Sequence, residues 1–399
     1  MMLQSFARSA ILNISAAAAG LGGTLFITWV FGLTEFAYYT INFAKLSLIL
    51  IGSELIPSSF TVFRLQEDEH FTSALPVFYM SFAFAGMTVA ALLVYAGVFV
   101  HGSWFMPIFV FSSALQRYFD SQAQASGRVD AYFWIPAASN ISRLVLLAVF
   151  SHMAVSKPDV LWASMVAGGL IGQAVMISRF PEFLDRDAYR APLAKIQYLW
   201  KIRAEYYEYY ANSLLKRARD TFLPIFCDLV IPSKTEIGRL FVFTRANEAV
   251  CGQVRVLEAF MVNRAIREDL RHARHRIFGV IGPLGHGAVA VISLLLMYRH
   301  GIRATDVVLA FVAGLFIYPY IAELFWRNDA LASFSPRRVT LSLLSFLAGL
   351  VIPPAMAWAL GLLSVPVLLG SYVLGQMLAA LSYRLFPSAL SVNVPEHRA

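Results

Sequence analysis

Residues 179–200 read RFPEFLDRDAYRAPLAKIQYLW, the longest hydrophilic stretch in a 399-residue chain that is otherwise strongly apolar. A membrane-crossing helix needs about 20 mostly apolar residues. Working outward from this stretch, six such spans precede it, at 10–31, 36–56, 74–100, 104–126, 131–151 and 159–178. Six more follow it, at 201–231, 237–262, 277–297, 306–326, 340–361 and 365–386. Nine read plainly as apolar, whereas the fourth, seventh and eighth are amphipathic and count as spans because their polar residues share one helical face. The expected fold class is therefore an all-α polytopic membrane protein of twelve transmembrane helices. The expected organisation is an N-terminal six-helix bundle (1–178), a cytoplasmic linker with a short interfacial helix (179–200), and a C-terminal six-helix bundle with a short tail (201–399).

Composition excludes the main alternatives. Hydrophobic residues make up 58% of the chain and charged residues 14%, against about 25% charged in a typical soluble domain. Mean hydropathy is +0.64. Too little polar surface exists to cover a soluble protein of this size, so a soluble enzyme, a disordered chain and a disulfide scaffold are all excluded. Cys227 and Cys251 form no CxxC pair. The N-terminal run MMLQSFARSAILNISAAAAGLGGTLFITWVFG (1–32) has a basic start but no clear cleavage site, and reads as a retained first helix.

Basic residues test the span count. With the N-terminus inside and sides alternating, nineteen Lys and Arg fall on cytoplasmic segments, six of them at 179–203, in and just after the linker, and five in 264–276. Only Lys157, Lys234, Arg299 and Arg303 fall outside. Cytoplasmic loops accumulate Lys and Arg, so both termini are expected in the cytoplasm. The net charge of +8 follows from those loops and does not imply nucleic acid.

The remaining basic residues, Lys45, Arg117, Arg143, Lys216, Arg217, Arg219, Arg239, Arg245 and Arg255, lie inside spans. Each costs about 2.5–3.5 kcal/mol at a lipid-facing helix centre, so they are expected to face water, pair with acids or snorkel. In the seventh span Glu205, Glu208, Tyr209, Asn212, Lys216, Arg219 and Asp220 form one stripe at helical spacing. In the eighth, Thr244, Asn247, Glu248, Cys251, Arg255 and Glu258 do the same. Arg117, Asp120, Gln124 and Arg128 share a face of the fourth span; Ser139, Asn140 and Arg143 cluster in the fifth; Tyr38, Asn42 and Lys45 cluster in the second. Two readings stand open. Pairs such as Glu248–Arg255 or Arg219–Asp220 neutralise each other between helices, or the stripes line a hydrated interior. Arg217 and Arg239 lie off the stripes and are expected to snorkel or meet headgroups. The interior acids match the bases in number, so substrate charge cannot be read from their balance.

Other motifs are negative. AAAAGLGG (16–23) permits close helix packing but follows no strand and lacks the Lys-Ser/Thr ending of a phosphate loop. No Walker motif is present, so direct ATP use is not expected, and no cofactor is called for. EDEH (67–70) reads as a solvated loop, and the isolated His101, His152 and His286 give no metal site.

The segment ILNISAAAAGLGGTLFITWVFGLTEFAYYTINFAKLSLILIGSEL (11–55) resembles the opening of polysaccharide flippases in the multidrug/oligosaccharidyl-lipid/polysaccharide exporter superfamily. The shared features are a small-residue first helix and a turn like FGLTEFAYYTI (31–41), a Gly-acid-aromatic-aromatic run entering the second helix. The resemblance implies two six-helix bundles around a central cavity. It also implies alternating-access transport of a lipid-linked oligosaccharide across the bacterial inner membrane, for surface or exopolysaccharide synthesis.

Basic residues lining the cavity would bind the substrate, and helical face selects Lys45, Arg117, Arg143, Lys216, Arg219 and Arg255 for that role. Asp120, Asp220 and Glu248 are the candidates for ion coupling. The substrate reading is an undecaprenyl-diphosphate headgroup, since Arg offers donors that match pyrophosphate. Membrane lipids and a polysaccharide polymerase or export machinery are the expected partners. The alternatives are an ion-coupled multidrug/cation antiporter of the same fold and a membrane enzyme of polysaccharide assembly. The enzyme reading is weakened by short external loops and the lack of a DDxxD-like metal run.

Overall fold

A computed structural model of the chain describes residues 2–56, 61, 68–125, 129–153, 155–179, 181, 191–254, 264–332 and 336–385. It forms two compact units, Met1–Arg217 and Ala218–Ala399. Among the described residues the regular structure is helical. In the first unit lie α1 (Met2–Phe26), α2 (Leu33–Ile49), α3 (Glu69–Tyr95), α4 (Phe105–Ala125), α5 (Val129–Phe150), α6 (Lys157–Arg179) and α7 (Pro192–Lys201). The division between units falls inside α8 (Arg203–Val230), after Arg217. The second unit continues with α9 (Lys234–Val254), α10 (Arg264–Met297), α11 (Ala304–Gly314), α12 (Ile317–Ala332), α13 (Pro336–Ala359) and α14 (Val365–Leu385).

Among the described residues each of the twelve expected spans is helical, the tenth as two helices and the eighth as far as Val254, and α7 begins within 179–200. Among the described residues eight helical segments are long and apolar enough to cross a membrane. The amphipathic fourth, seventh and eighth spans are not among them, and neither is the second. The α-helical part of the second span is only 17 residues, because its last turn tightens into a 3₁₀ helix at Leu50–Glu54. The tenth span is broken. Its helix stops at Gly314, Leu315 and Phe316 donate backbone hydrogen bonds three residues back, to Val312 and Ala313, and α12 restarts at Ile317. The first span ends in a π-helical turn, Ile27–Phe31, that runs into Gly32 at φ 98°, a conformation that side-chain-bearing residues rarely adopt.

Lipid offers no hydrophobic drive for helix association, so close packing through small residues takes over that role. In the first unit AAAAGLGG behaves as the sequence suggests. The Ala16 carbonyl accepts a hydrogen bond from Asn140 Nδ2 on α5 at 2.9 Å, and Gly22 and Gly23 sit against Leu144 and Leu147. The closest backbone approaches are elsewhere. A Cβ on Gly168 of α6 would lie 2.7 Å from the Ser139 carbonyl of α5, and one on Gly375 of α14 would lie 2.7 Å from the Phe346 carbonyl of α13. Gly349 of α13 faces Gly375 backbone to backbone, and Ser342 Oγ donates to the Ala379 carbonyl along the same seam.

At the α7 end of the first unit, Phe71, Leu75 and Tyr79 of α3 pack with Tyr118 and Phe119 of α4, Met176 of α6, and Leu199 and Ile202. Asp68 caps α3, one carboxylate oxygen accepting from the Phe71 amide at 3.1 Å and the other from the Tyr198 hydroxyl.

Candidate functional site

Arg143 is placed by backbone packing. Because Gly168 has no side chain, α6 comes close to the backbone of α5, and a Cβ there would lie 3.0 Å from Arg143 Cβ. From that root the guanidinium reaches α2. One of its Nη atoms donates to the Tyr39 hydroxyl at 3.0 Å, with the group 5.4 Å from the centre of the Tyr39 ring. Tyr39 in turn donates to Met165 Sδ, and its ring belongs to a cluster with Phe43, Phe109 and Trp162. Among the described residues Arg143 has no carboxylate partner, and its buried Nε–H has no acceptor. A guanidinium held by a phenol and a ring face keeps its charge available to an anion.

Arg117 is held differently. The 3₁₀ turn that follows α2 supplies its acceptors, the Leu50 carbonyl and the Ser53 hydroxyl. Arg117 Nη1 donates to that Leu50 oxygen at 3.1 Å and to Ser53 Oγ at 2.7 Å. Asp120, one turn along α4, interacts electrostatically with Arg117. Lys45 is half-buried on α2 between these two levels. At 1.5 Å rise per residue, Tyr39 and Leu50 stand about 16 Å apart along α2. Lys45, Arg117 and Arg143 are thus strung along one helix rather than gathered at one point.

In the second unit the structure gathers three candidates around an aromatic stack. Arg219 Nε lies 3.0 Å from Asp220 Oδ1, and the guanidinium sits 5.3 Å from the Phe346 ring centre. Phe346 meets Tyr372 edge-on, and Tyr372 stacks flat on Phe316 at 4.5 Å. Glu248, Arg219 and Asp220 all lie within electrostatic reach of Tyr372. Arg219 is largely covered, while Asp220 is 46% exposed. Lys216, one turn earlier on α8, is exposed.

Several sequence expectations are resolved here. Arg219 and Asp220 do pair with each other. Glu248 pairs with Arg245 on its own helix at 2.5 Å. Arg255 and Glu258 lie outside the described residues, as do the side chains of Glu205, Glu208 and Gln124. The eighth-span stripe is divided. Thr244, Asn247 and Cys251 are buried in protein, Glu248 is exposed, and neither amide atom of Asn247 has a partner among the described residues.

The reading of Arg239 as a snorkelling residue is wrong. Its side chain is 7% exposed and forms a 2.7 Å ion pair with Asp306, 4% exposed, at the start of α11. Asp306 also accepts from the Arg303 amide and so caps α11. A base that finds a buried carboxylate has no need to reach the interface. The sequence reading also passed over Tyr39, Tyr372 and the buried pair Glu323–Gln376, joined at 2.5 Å. A tyrosine or glutamine on a mostly apolar helix face carries no sign of the charged group it will meet.

The order of helices, with the interrupted tenth span and six spans on each side of α7, can be compared with solved structures. The chain has the fold of MATE transporters. It superposes on the Vibrio cholerae MATE transporter VcmN in the bent form with a TM-score of 0.55 at 13% identity, covering 96% of this chain and 98% of that one. A point mutant of VcmN gives a TM-score of 0.53 at 12% identity, with 96% and 98% covered. The eukaryotic MATE transporter AtDTX14 gives 0.55 at 12% identity, with 96% of each chain covered. No family model and no curated protein matches the sequence. The MATE fold therefore extends over nearly the whole chain, while sequence identity stays too low to carry an activity across with it.

Proposed function

We propose that this protein is a flippase that carries an undecaprenyl-diphosphate-linked oligosaccharide across the bacterial inner membrane by alternating access, with both termini in the cytoplasm. The MATE fold supports a transporter rather than an enzyme. One observation carries the choice of an anionic cargo: Arg143, at membrane depth, is held by Tyr39 and has no carboxylate partner among the described residues. A lipid-facing guanidinium is expensive, and an anionic headgroup would supply the missing acceptor. In this reading the pyrophosphate is passed along the α2 column of Arg143, Lys45 and Arg117, and Lys216, Arg219 and Arg255 are further phosphate-binding residues. The prenyl tail stays in lipid. The six-helix halves 1–178 and 201–399, joined by 179–200, are the moving parts, and Asp120, Asp220 and Glu248 are the coupling carboxylates.

The test is headgroup translocation in vesicles reconstituted with the purified chain. Arg143→Ala is expected to slow it about tenfold or more, because a charge-assisted contact to phosphate contributes about 1.5–3 kcal/mol. Arg143→Lys is expected to restore part of the rate and Tyr39→Phe to cost less. Wild-type translocation by a well-folded Arg143→Ala chain would end the proposal.

A second reading is an ion-coupled multidrug or cation antiporter. The cluster of Asp220 and Glu248 beside Phe316, Phe346 and Tyr372 favours it, since acids and aromatic faces suit organic cations. Drug accumulation that responds to an ion gradient and is abolished in Asp220→Asn, with no headgroup translocation, would select it.

A further inference from the structure

Helix α7 has an apolar face that the rest of the chain leaves uncovered. Leu193, Ile196 and Trp200 recur at helical spacing and are 74%, 43% and 67% exposed. Its other side is docked. Leu199 and Ile202 enter the core with Phe71 and Leu75 of α3, and the Tyr198 hydroxyl donates to Asp68, the residue that caps α3. The His70 ring lies 6.1 Å from that of Tyr198. Between the two sides run Gln197 and Lys201, both exposed, and Arg203 follows directly, folded over the Trp200 ring at 4.7 Å and donating to the Trp200 carbonyl. Helix α6 is long and apolar enough to cross a bilayer and ends at Arg179, shortly before α7 begins at Pro192, which puts α7 near a membrane surface.

These features point to one occupant. A short helix with a wide apolar arc including Trp, bordered by Lys and Arg, is the physical form of a segment lying in the interfacial layer. The arc itself carries no charge, while its basic edge matches phosphate, and juxtamembrane basic residues are drawn to anionic leaflets. We propose that α7 is a binding surface for anionic phospholipid headgroups. Leu193, Ile196 and Trp200 sink among the acyl chains, and Lys201 and Arg203 hold the phosphates. The Tyr198–Asp68 bond then fixes the first turn of α3 to the bilayer surface. This assignment does not depend on what the protein transports.

The test uses the full chain in vesicles, with Gln197→Cys carrying an environment-sensitive fluorophore at the edge of the apolar arc. The native Cys227 and Cys251 are buried, and the unsubstituted chain, treated alike, gives the background. Brominated phosphatidylglycerol, compared with brominated phosphatidylcholine at equal mole fraction, is expected to quench the label about threefold more strongly. Adding Lys201→Ala and Arg203→Ala is expected to bring the two lipids to parity while quenching persists. Equal quenching by both lipids before those changes would overturn the headgroup claim. Absence of quenching by either would place α7 in water or under a protein partner and overturn the membrane claim. If the Gln197→Cys chain fails to reconstitute, Ala194→Cys, also exposed, gives the same readout.

Discussion

Asp306→Ala is expected to lower the melting temperature of the detergent-solubilised chain by on the order of 10 °C. Asp306 is the acid of a buried ion pair with Arg239, and neither side chain is more than 7% exposed. Removing one partner of such a pair costs about 3–5 kcal/mol, because the other is left as an uncompensated charge in a poorly solvating medium. At about 2–4 °C per kcal/mol for a unit of this size, the shift should be plain in a thermal scan. The same carboxylate caps α11 through the Arg303 amide, so the first turn of that helix loses its acceptor too.

The remaining bonds do not rescue Arg239. Its contact to the His300 carbonyl is 3.3 Å and the approach to Glu236 is 3.9 Å, with Glu236 already accepting from Arg303. Arg239→Met combined with Asp306→Leu should recover much of the loss, since an apolar pair of similar volume carries no desolvation cost. A single variant that melts with the wild type would show that Arg239 has another partner.

Gly375→Val comes next in size, at about 3 kcal/mol. Added methylenes in a packed interior cost about 1–3 kcal/mol where side chains can give way. Here the obstacle is backbone: the new Cβ would meet the Phe346 carbonyl oxygen at 2.7 Å, and Gly349 stands opposite. A carbonyl in a helix cannot rotate aside, so α13 and α14 must separate, and packing contacts along the seam go with them. Gly287→Ala makes the contrast. It lies inside α10 with no atom within 4 Å of an added Cβ, so relief of glycine's conformational entropy should stabilise by about 0.5–1 kcal/mol. Melting curves of both variants under one condition decide the matter, and a Gly375→Val chain as stable as the Gly287→Ala chain would refute the seam.

The sequence announces the spans because hydropathy over about 20 residues is a local property. It also announces the linker, where polar composition breaks the pattern. It does not announce the end of α2 or the gap at Leu315–Phe316, since VVLAFVAGLFIYPYIA (307–322) carries no charged residue around the break and the break changes hydrogen bonding rather than composition. Among the candidate site residues, Arg219 and Asp220 pair as neighbours in the sequence itself. Helical phase cannot reveal partners distant in sequence. Arg239 and Asp306 are 67 residues apart, and Arg143 and Tyr39 are 104 apart. Each of these bases looks unpaired until the fold brings its partner across. The eighth-span stripe fails for a related reason: small polar residues such as Thr244 and Asn247 are as suited to a tight helix contact as to water.

The interruption of the tenth span has a bearing on how this chain can change over evolutionary time. In an unbroken helix one inserted residue turns everything downstream by about 100°, sending core side chains to the lipid and lipid-facing ones to the core. Leu315 and Phe316 form a short tight turn in which the bonds reach three residues back before the regular ladder resumes from Phe316 to Tyr320, so a gained or lost residue there disturbs fewer regular bonds than one inside either helix. If length varies inside any span of this molecule, this turn is the place where the physical cost is lowest.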